Sequence, residues 1–297
     1  MTRVEPVRRT DRLTPDEVTA VLDLAGAAEI ADGVFPLSED VVLRVRAGGG
    51  TNVLSLHDNV VVGIANVEAG AGEVGAGELV VHPRFRRQGR GTALLRAAGD
   101  GPLSFWAHGD DPGARAFAEG LGFTRERVLW QMRRSLAEPL PPDRLPDGVT
   151  VRQFRPGHDE AAWLGVNARA FAHHPEQGRW TEHDLTLREQ EPWFDPAGFL
   201  LAVDVEDTLL GFHWTKVHPS TAVDPALGEI YVLGVDPGGH RRGLGRALSV
   251  AGLTHLKQQE LGTAMLYVDE SNEAAVRLYQ SLGFGVHATD VMYHRLA

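Results

Sequence analysis

The chain writes one pattern twice. Leu79-Val80-Val81-His82-Pro83-Arg84-Phe85-Arg86-Arg87-Gln88-Gly89-Arg90-Gly91 in the first half is answered by Leu233-Gly234-Val235-Asp236-Pro237-Gly238-Gly239-His240-Arg241-Arg242-Gly243-Leu244-Gly245 in the second. Pro83 falls on Pro237, Gly89 on Gly243 and Gly91 on Gly245 at one constant spacing. Further along, Leu121-Gly122-Phe123 falls on Leu282-Gly283-Phe284, and an apolar run ending at Gly63 resembles one ending at Gly211. A unit repeated in order and spacing predicts two domains of the same kind, and 297 residues is a length that two ordinary domains fill. Between the copies lie Pro139, Pro141, Pro142 and Pro146, which cannot continue a helix and favour extended chain. The expected division is therefore residues 1–137, a linker at 138–147, and residues 148–297.

Within each copy, apolar segments that read as strands alternate with helical ones. Thr14-Pro15-Asp16-Glu17 has the form of a capping box with proline at the first helical position, and predicts a helix to about Ala28. Strands are expected at 60–67, 79–81 and 103–106, and again at 199–203, 209–217, 230–235 and 264–268. Leu244, Ala247, Leu248 and Ala251 mark one stripe of a helix, and Ala275, Leu278, Tyr279 and Leu282 another. The class is α/β, strands and helices around a central sheet.

Composition narrows the partners. The net charge is −11, which argues against a general nucleic-acid binder. Cysteine is absent, so neither disulfides nor protein thiolate chemistry enter. No stretch approaches the ~18 apolar residues of a membrane helix, and residues 1–24 lack the apolar core of a signal peptide. A cytoplasmic, monomeric protein with no membrane or nucleic-acid partner is expected. His173 and His174 near Glu176 lack a third ligand at a supporting spacing, so no metal is expected.

The glycine-rich turn carries the first chemical signal. A strand, then Arg86-x-x-Gly89-x-Gly91, then a helix places free N–H groups and the positive end of the helix dipole where an anion such as a pyrophosphate can bind. Neither copy is followed by Gly-Lys-Ser/Thr, so neither is a Walker A loop, and neither is the Gly-x-Gly-x-x-Gly dinucleotide fingerprint. The pattern resembles the pyrophosphate loop of the GNAT acetyltransferase superfamily, and Asn272-Glu273-Ala274-Ala275-Val276-Arg277-Leu278-Tyr279 leading to Leu282-Gly283-Phe284 resembles that superfamily's later helix and strand. His240 departs from it, standing where Arg or Gln is usual. The resemblance implies two tandem GNAT domains, each a mixed β-sheet flanked by helices, with acetyl-CoA as co-substrate.

The repeat also compares the halves with each other. Counted back from the shared proline, Glu229 falls opposite Gly75. Counted back from Leu-Gly-Phe, Tyr279 falls opposite Ala118 and Asn272 opposite Asp111. The second half alone therefore has a candidate base in Glu229 and a candidate acid in Tyr279, whose ordinary pKa near ~10 keeps a proton available at neutral pH. The first half reads as catalytically inactive.

Gly228-Glu229-Ile230-Tyr231-Val232-Leu233-Gly234-Val235-Asp236-Pro237, Phe212-His213-Trp214-Thr215-Lys216-Val217-His218, Phe171-Ala172-His173-His174-Pro175-Glu176-Gln177-Gly178 and Leu266-Tyr267-Val268-Asp269-Glu270-Ser271-Asn272 resemble the mycothiol synthase family. That resemblance implies N-acetylation of the cysteine amine of cysteinyl-glucosaminyl-inositol, the last step of mycothiol synthesis. It implies acceptor contacts from Glu39, Glu176, Lys216, Glu229 and Tyr267. It implies acetyl-CoA contacts from Leu79, Val80, Val81 and Arg87-Gln88-Gly89-Arg90-Gly91-Thr92 in the first domain. In the second it implies them from Leu233, Gly234, Val235, His240-Arg241-Arg242-Gly243-Leu244-Gly245-Arg246 and Asn272-Glu273-Ala274-Ala275-Val276-Arg277. The residues by themselves leave two alternatives open: a GNAT enzyme for another small amine, such as an aminoglycoside, polyamine or amino acid, and an acyl-CoA-binding sensor without catalysis.

Overall fold

The computed structural model describes residues 7–68, 75–99, 101–142, 144–174, 177–239 and 243–296. In chain order the first stretch holds β1 (Val7–Thr10), α1 (Pro15–Asp32), α2 (Glu39–Ala47), β2 (Thr51–His57), β3 (Val60–Glu68), β4 (Gly75–Val81), α3 (Arg90–Ala98), β5 (Leu103–Ala107), α4 (Pro112–Gly120) and β6 (Thr124–Ser135). The second holds β7 (Thr150–Gln153), α5 (Glu160–Ala170), α6 (Glu182–Glu189), β8 (Phe199–Val203), β9 (Leu209–His218), β10 (Leu227–Val235), α7 (Leu244–Gln258), β11 (Thr263–Asp269), α8 (Glu273–Ser281) and β12 (Gly285–Arg295). No helix among the described residues is long and apolar enough to cross a membrane.

By its contacts the chain forms two compact units. One comprises Met1–Trp130, Asp269–Ser271 and Ala288–Ala297, the other Gln131–Val268 and Asn272–His287. The proline-rich segment lies inside the second unit, and the C-terminal strand belongs largely to the first.

The first unit is a mixed sheet. Strands β1, β2, β3 and β4 pair antiparallel in turn, β4 pairs parallel with β5, and β5 pairs antiparallel with Val291–Arg295 of β12. Neighbouring residues face opposite sides of a strand, and the core follows that rule. Leu54, Ile64 and Val80 pack under α1 and α2 with Val21, Leu24, Ala25, Ala28, Val41 and Val45. Val53, Ala65 and Val81 face the other way and pack with Leu94 and Leu95 of α3. The capping box at Thr14 forms as expected, and α1 runs one turn past Ala28 before Gly33 ends it at φ +77°.

The second unit repeats the plan. Antiparallel β7, β8, β9 and β10 are followed by parallel β11. Leu201, Phe212, Trp214 and Val232 pack with Trp163 and Val166 of α5 and Leu185 of α6, while Ala202 and Leu210 face Leu244 and Leu248 of α7. Burial of one such large apolar side chain is worth about 1.5–3 kcal/mol relative to exposure. The strands expected at 199–203 and 209–217 are β8 and β9, the latter longer by one residue.

The internal repeat holds at the level of hydrogen bonds. Asp111 accepts from Ala114 N at the start of α4 at 2.8 Å, and Asn272 accepts from Ala275 N at the start of α8 at 3.2 Å. Both helices end alike, with Gly122 and Gly283 at φ +80° and +88° and with Phe123 and Phe284 N–H donating back to the Ala118 and Tyr279 carbonyls. On α8 the buried stripe is Val276, Tyr279 and Leu282, with Ala275 and Leu278 half-buried.

Candidate active site

Strand β10 is where the sheet opens. Its antiparallel register with β9 sets Glu229 opposite Lys216 and Val235 opposite Gly211, with a shift between Ile230 and Val232. Its parallel pairing with β11 covers only Gly228–Ile230 against Ala264–Leu266, although β10 continues to Val235 and β11 to Asp269. A bulge bends a strand and tightens its twist, and beyond it the β11-facing edge of Tyr231–Val235 loses its ladder partner. Backbone N–H and C=O groups of such an edge need other partners, and an extended amide-bearing ligand supplies them. Leu233, Gly234 and Val235 lie on this edge.

Helix α7 starts beside it. Gly243 caps the helix at φ +89°, a left-handed conformation that L side chains avoid. A Cβ at Gly245 would stand 3.7 Å from Val235 Cγ2, so the helix N-terminus with its unpaired N–H groups adjoins the open strand. Leu244 is wholly buried, leaving it a backbone role in that loop, and Arg246 Nη1 donates to Ser281 Oγ at 2.7 Å. His240, Arg241, Arg242 and Glu176 lie outside the described residues.

The first unit has the same opening. There β4 pairs with β5 only over Gly75–Glu78 against Leu103–Trp106, and Leu79, Val80 and Val81 run on past it. These three and Arg87, Gly89, Arg90, Gly91 and Thr92 line one cavity of about 980 Å³. Gln88 does not line it; its amide reaches the Arg84 carbonyl at 3.5 Å. The loop's cations are committed in part: Arg86 grips both oxygens of Asp32 at 2.7 and 2.6 Å, and the buried Arg90 donates to Ser55 Oγ at 3.0 Å and the Leu56 carbonyl at 2.8 Å.

Around Glu229 the second unit is acidic, basic and aromatic at once. Glu229 is 6% exposed, and its Oε2 lies 2.7 Å from His218 Nε2. Across the ladder Lys216 is buried, its Nζ 4.4 Å from the Trp193 ring centre and 5.0 Å from that of Tyr231, within the range where aromatic faces attract a cation. The Tyr231 hydroxyl accepts from Arg188 Nε at 2.7 Å. His218, Trp193, Tyr231 and Arg188 are residues that sequence reasoning did not single out. His218 had a signal, since it stands two residues after Lys216 on one strand and so shares its face; Trp193 had none, being brought in by a loop.

Tyr279 occupies the buried face of α8, and burial pushes its phenol up to about 12, so it stays protonated at neutral pH. Tyr267 on β11 is 42% exposed and its hydroxyl accepts from Gln131 Nε2 at 2.9 Å. Asn272 caps α8; Glu273 and Arg277 pair on its exposed face at 2.9 Å, Ala274 is exposed and Val276 is buried. Glu39 opens α2 in the first unit, one residue after the cap Ser38, and is half-buried.

The sequence matches the Acetyltransferase (GNAT) family over residues 167–284 and an Acetyltransferase (GNAT) domain over residues 49–125. It is 54% identical to the mycothiol acetyltransferase of Salinispora arenicola, covering 97% of this chain and 96% of that one. It is 55% identical to that of Thermomonospora curvata, at 96% and 95% coverage. The chain belongs to the mycothiol acetyltransferase family. Among solved structures, a tandem GNAT protein from the clavulanic acid biosynthesis pathway superposes with a TM-score of 0.74 over 97% of this chain and 98% of that one, at 20% identity. A GCN5-related N-acetyltransferase from Sphaerobacter thermophilus does so with a TM-score of 0.66 at 26% identity, over 97% and 95%. The tandem GNAT architecture expected from the repeat is thus the fold of the mycothiol acetyltransferase family member described here.

Proposed function

We infer that this chain is the N-acetyltransferase that moves acetyl from acetyl-CoA to the cysteine amine of cysteinyl-glucosaminyl-inositol, and that Glu229 and Tyr279 carry the protons. The observation that carries the reading is a buried carboxylate, Glu229, on the one strand of the second unit that leaves its parallel neighbour, beside a helix N-terminus. An extended pantetheine arm fits the freed edge of Leu233–Val235, and the start of α7 suits the pyrophosphate. Lys216, Tyr267 and Glu176 are assigned to the hydroxyl-rich acceptor, which calls for charged and hydrogen-bonding groups rather than an apolar slot.

The acceptor arrives as an ammonium ion, gives one proton to Glu229, and attacks the thioester carbonyl. Strand N–H groups near Leu233 stabilise the oxyanion. As the intermediate collapses, the departing thiolate takes the proton of Tyr279, and the second proton lost by the nitrogen restores that phenol. A phenol held near 12 does not ionise alone, so its donation accompanies C–S cleavage. The first unit, with Gly75 and Ala118 at the corresponding places, holds acetyl-CoA without performing chemistry.

The test is acetyl transfer by the purified protein to cysteinyl-glucosaminyl-inositol, with the product's N- or S-acetylation read by mass spectrometry. N-acetylation is expected. Glu229→Gln is expected to lower kcat by about 10²–10⁴-fold and Tyr279→Phe to lower kcat with little change in KM for acetyl-CoA. An inert cysteinyl acceptor alongside turnover of another amine would move the assignment to that amine, and wild-type rates in both variants would remove the two roles.

A further inference from the structure

The reaction leaves one proton over. An ammonium ion loses two protons on its way to an amide, and the thiolate recovers only one. On the reading of Glu229 as the base, the surplus proton ends each turnover on a carboxyl whose side chain is only 7% exposed. It must leave before the next cycle.

One side chain is placed to take it. Among the described residues the only side-chain hydrogen-bond partner of Glu229 is His218, whose Nε2 is 2.7 Å from Oε2. The imidazole is 32% exposed, so the pair joins a buried oxygen to solvent. The other neighbours in register cannot serve. Lys216 on β9 turns its Nζ to the faces of Trp193 and Tyr231, and Met265 on β11 does not titrate. Tyr231 on β10 holds Arg188, and the helices packed on these strands meet them through apolar Trp163, Val166, Leu244 and Leu248. Histidine is the side chain suited to passing protons near neutral pH.

We propose that His218 is the proton outlet of Glu229, a positioning residue that acts through the base and not on the substrate. In the resting pair Nε2–H donates to the carboxylate and the Nδ1 lone pair is left for water. After the acceptor ammonium protonates Glu229, exchange with water moves the ring hydrogen from Nε2 to Nδ1, the Oε2–H bond breaks, the proton moves to the Nε2 lone pair, and the imidazolium releases its Nδ1 proton to water. Glu229 is again a carboxylate accepting from Nε2–H, as at the start. No other bond changes.

The experiment uses the full chain and compares wild type with His218→Gln, His218→Ala and Glu229→Gln. Readouts are kcat, both KM values, the pH profile, the dependence of kcat on buffer concentration, and rescue by imidazole. Glutamine can still donate a hydrogen bond to Glu229 but cannot pass a proton. The expected result is a fall in kcat of about 10-fold or more in His218→Gln, with KM for acetyl-CoA unchanged. In His218→Ala, kcat becomes dependent on buffer and recovers with imidazole. Wild-type kcat in His218→Gln, with or without a defect in His218→Ala, would overturn the proposal, because the bond would then be structural. So would a His218→Ala rate that imidazole and buffer leave unmoved. The proposal rests on the base role of Glu229, and the two failures differ. Full activity in Glu229→Gln removes that role, and the outlet with it, whereas a crippled Glu229→Gln beside an unimpaired His218→Gln removes the outlet alone. A wild type inert toward every amine would remove both.

Discussion

Asp159 shows how a single buried charge is kept in this protein. It is 5% exposed, and burial alone would raise its carboxyl, but Arg152 at 2.7 and 3.0 Å and Arg155, through its side chain and its backbone N–H at 2.8 Å, hold it down to about 2. A carboxyl lowered in the fold adds stability that is present above its ordinary range and lost as pH falls through that range towards 2. Asp159→Asn is expected to cost about 1–3 kcal/mol at neutral pH, and to flatten the acid side of a plot of melting temperature against pH. An unchanged acid slope would show that this charge is not the one being titrated. At this scale the sequence reveals residue types and spacings but not who meets whom. Glu229 and Tyr279 were legible because the repeat set them against Gly75 and Ala118. The partner of Glu229 was hidden, because the meeting of His218 with it depends on the register of β9 against β10.

At the scale of elements, charge also ties strands together. His108, just past β5, stands 2.9 Å from Asp290 of β12 and 3.4 Å from Glu78 of β4, and Glu78 accepts from the Ser38 N–H that begins α2 at 2.6 Å. Burial opposes a charge on His108, but the two carboxylates outweigh it and lift the imidazole to about 10. The imidazolium therefore adds stability fully present below the ordinary histidine pKa of ~6.5 and lost as pH rises through about 10. Melting of the wild type is expected to weaken between about pH 6.5 and 10. His108→Gln should start lower and show a flatter alkaline limb, and equal alkaline slopes in the two proteins would refute the clamp. None of this was visible in the sequence, since Glu78 and Asp290 lie far apart in the chain. Elements with strong local signals were legible: α1 from its capping box, and β8 and β9 from their apolar runs. The short α2, with its cap at Ser38, the bulge in β10 and the turn of α8 that buries Val276 were not, because they are set by what they pack against.

For the molecule as a whole, the residues past Asn272 matter most. Ala288–Arg295 completes the sheet of the first unit through β5, while Gln131–Ser135 belongs to the second. A protein beginning at Leu145 would lack that part of β6 and keep a terminal strand without its β5 partner. Such an unpaired edge invites association. The truncation is expected to lose cooperative melting and acetyl transfer together, as circular dichroism and the activity assay would show; full activity with an unchanged acceptor KM would mean that the second unit needs nothing from the first. Two similar domains were legible from the repeat. The return of the last strand to the first unit was not, because pairing between residues so distant leaves no local pattern.

That return has a consequence for synthesis. Asp290 reaches His108 across 182 residues of chain. At ribosomal speeds of ~5–20 residues per second, the first half emerges roughly 10–40 seconds before the strand that finishes its sheet. It must wait with β5 uncovered until Val291–Arg295 is made, so a chain arrested before that strand would leave the first sheet with an open edge.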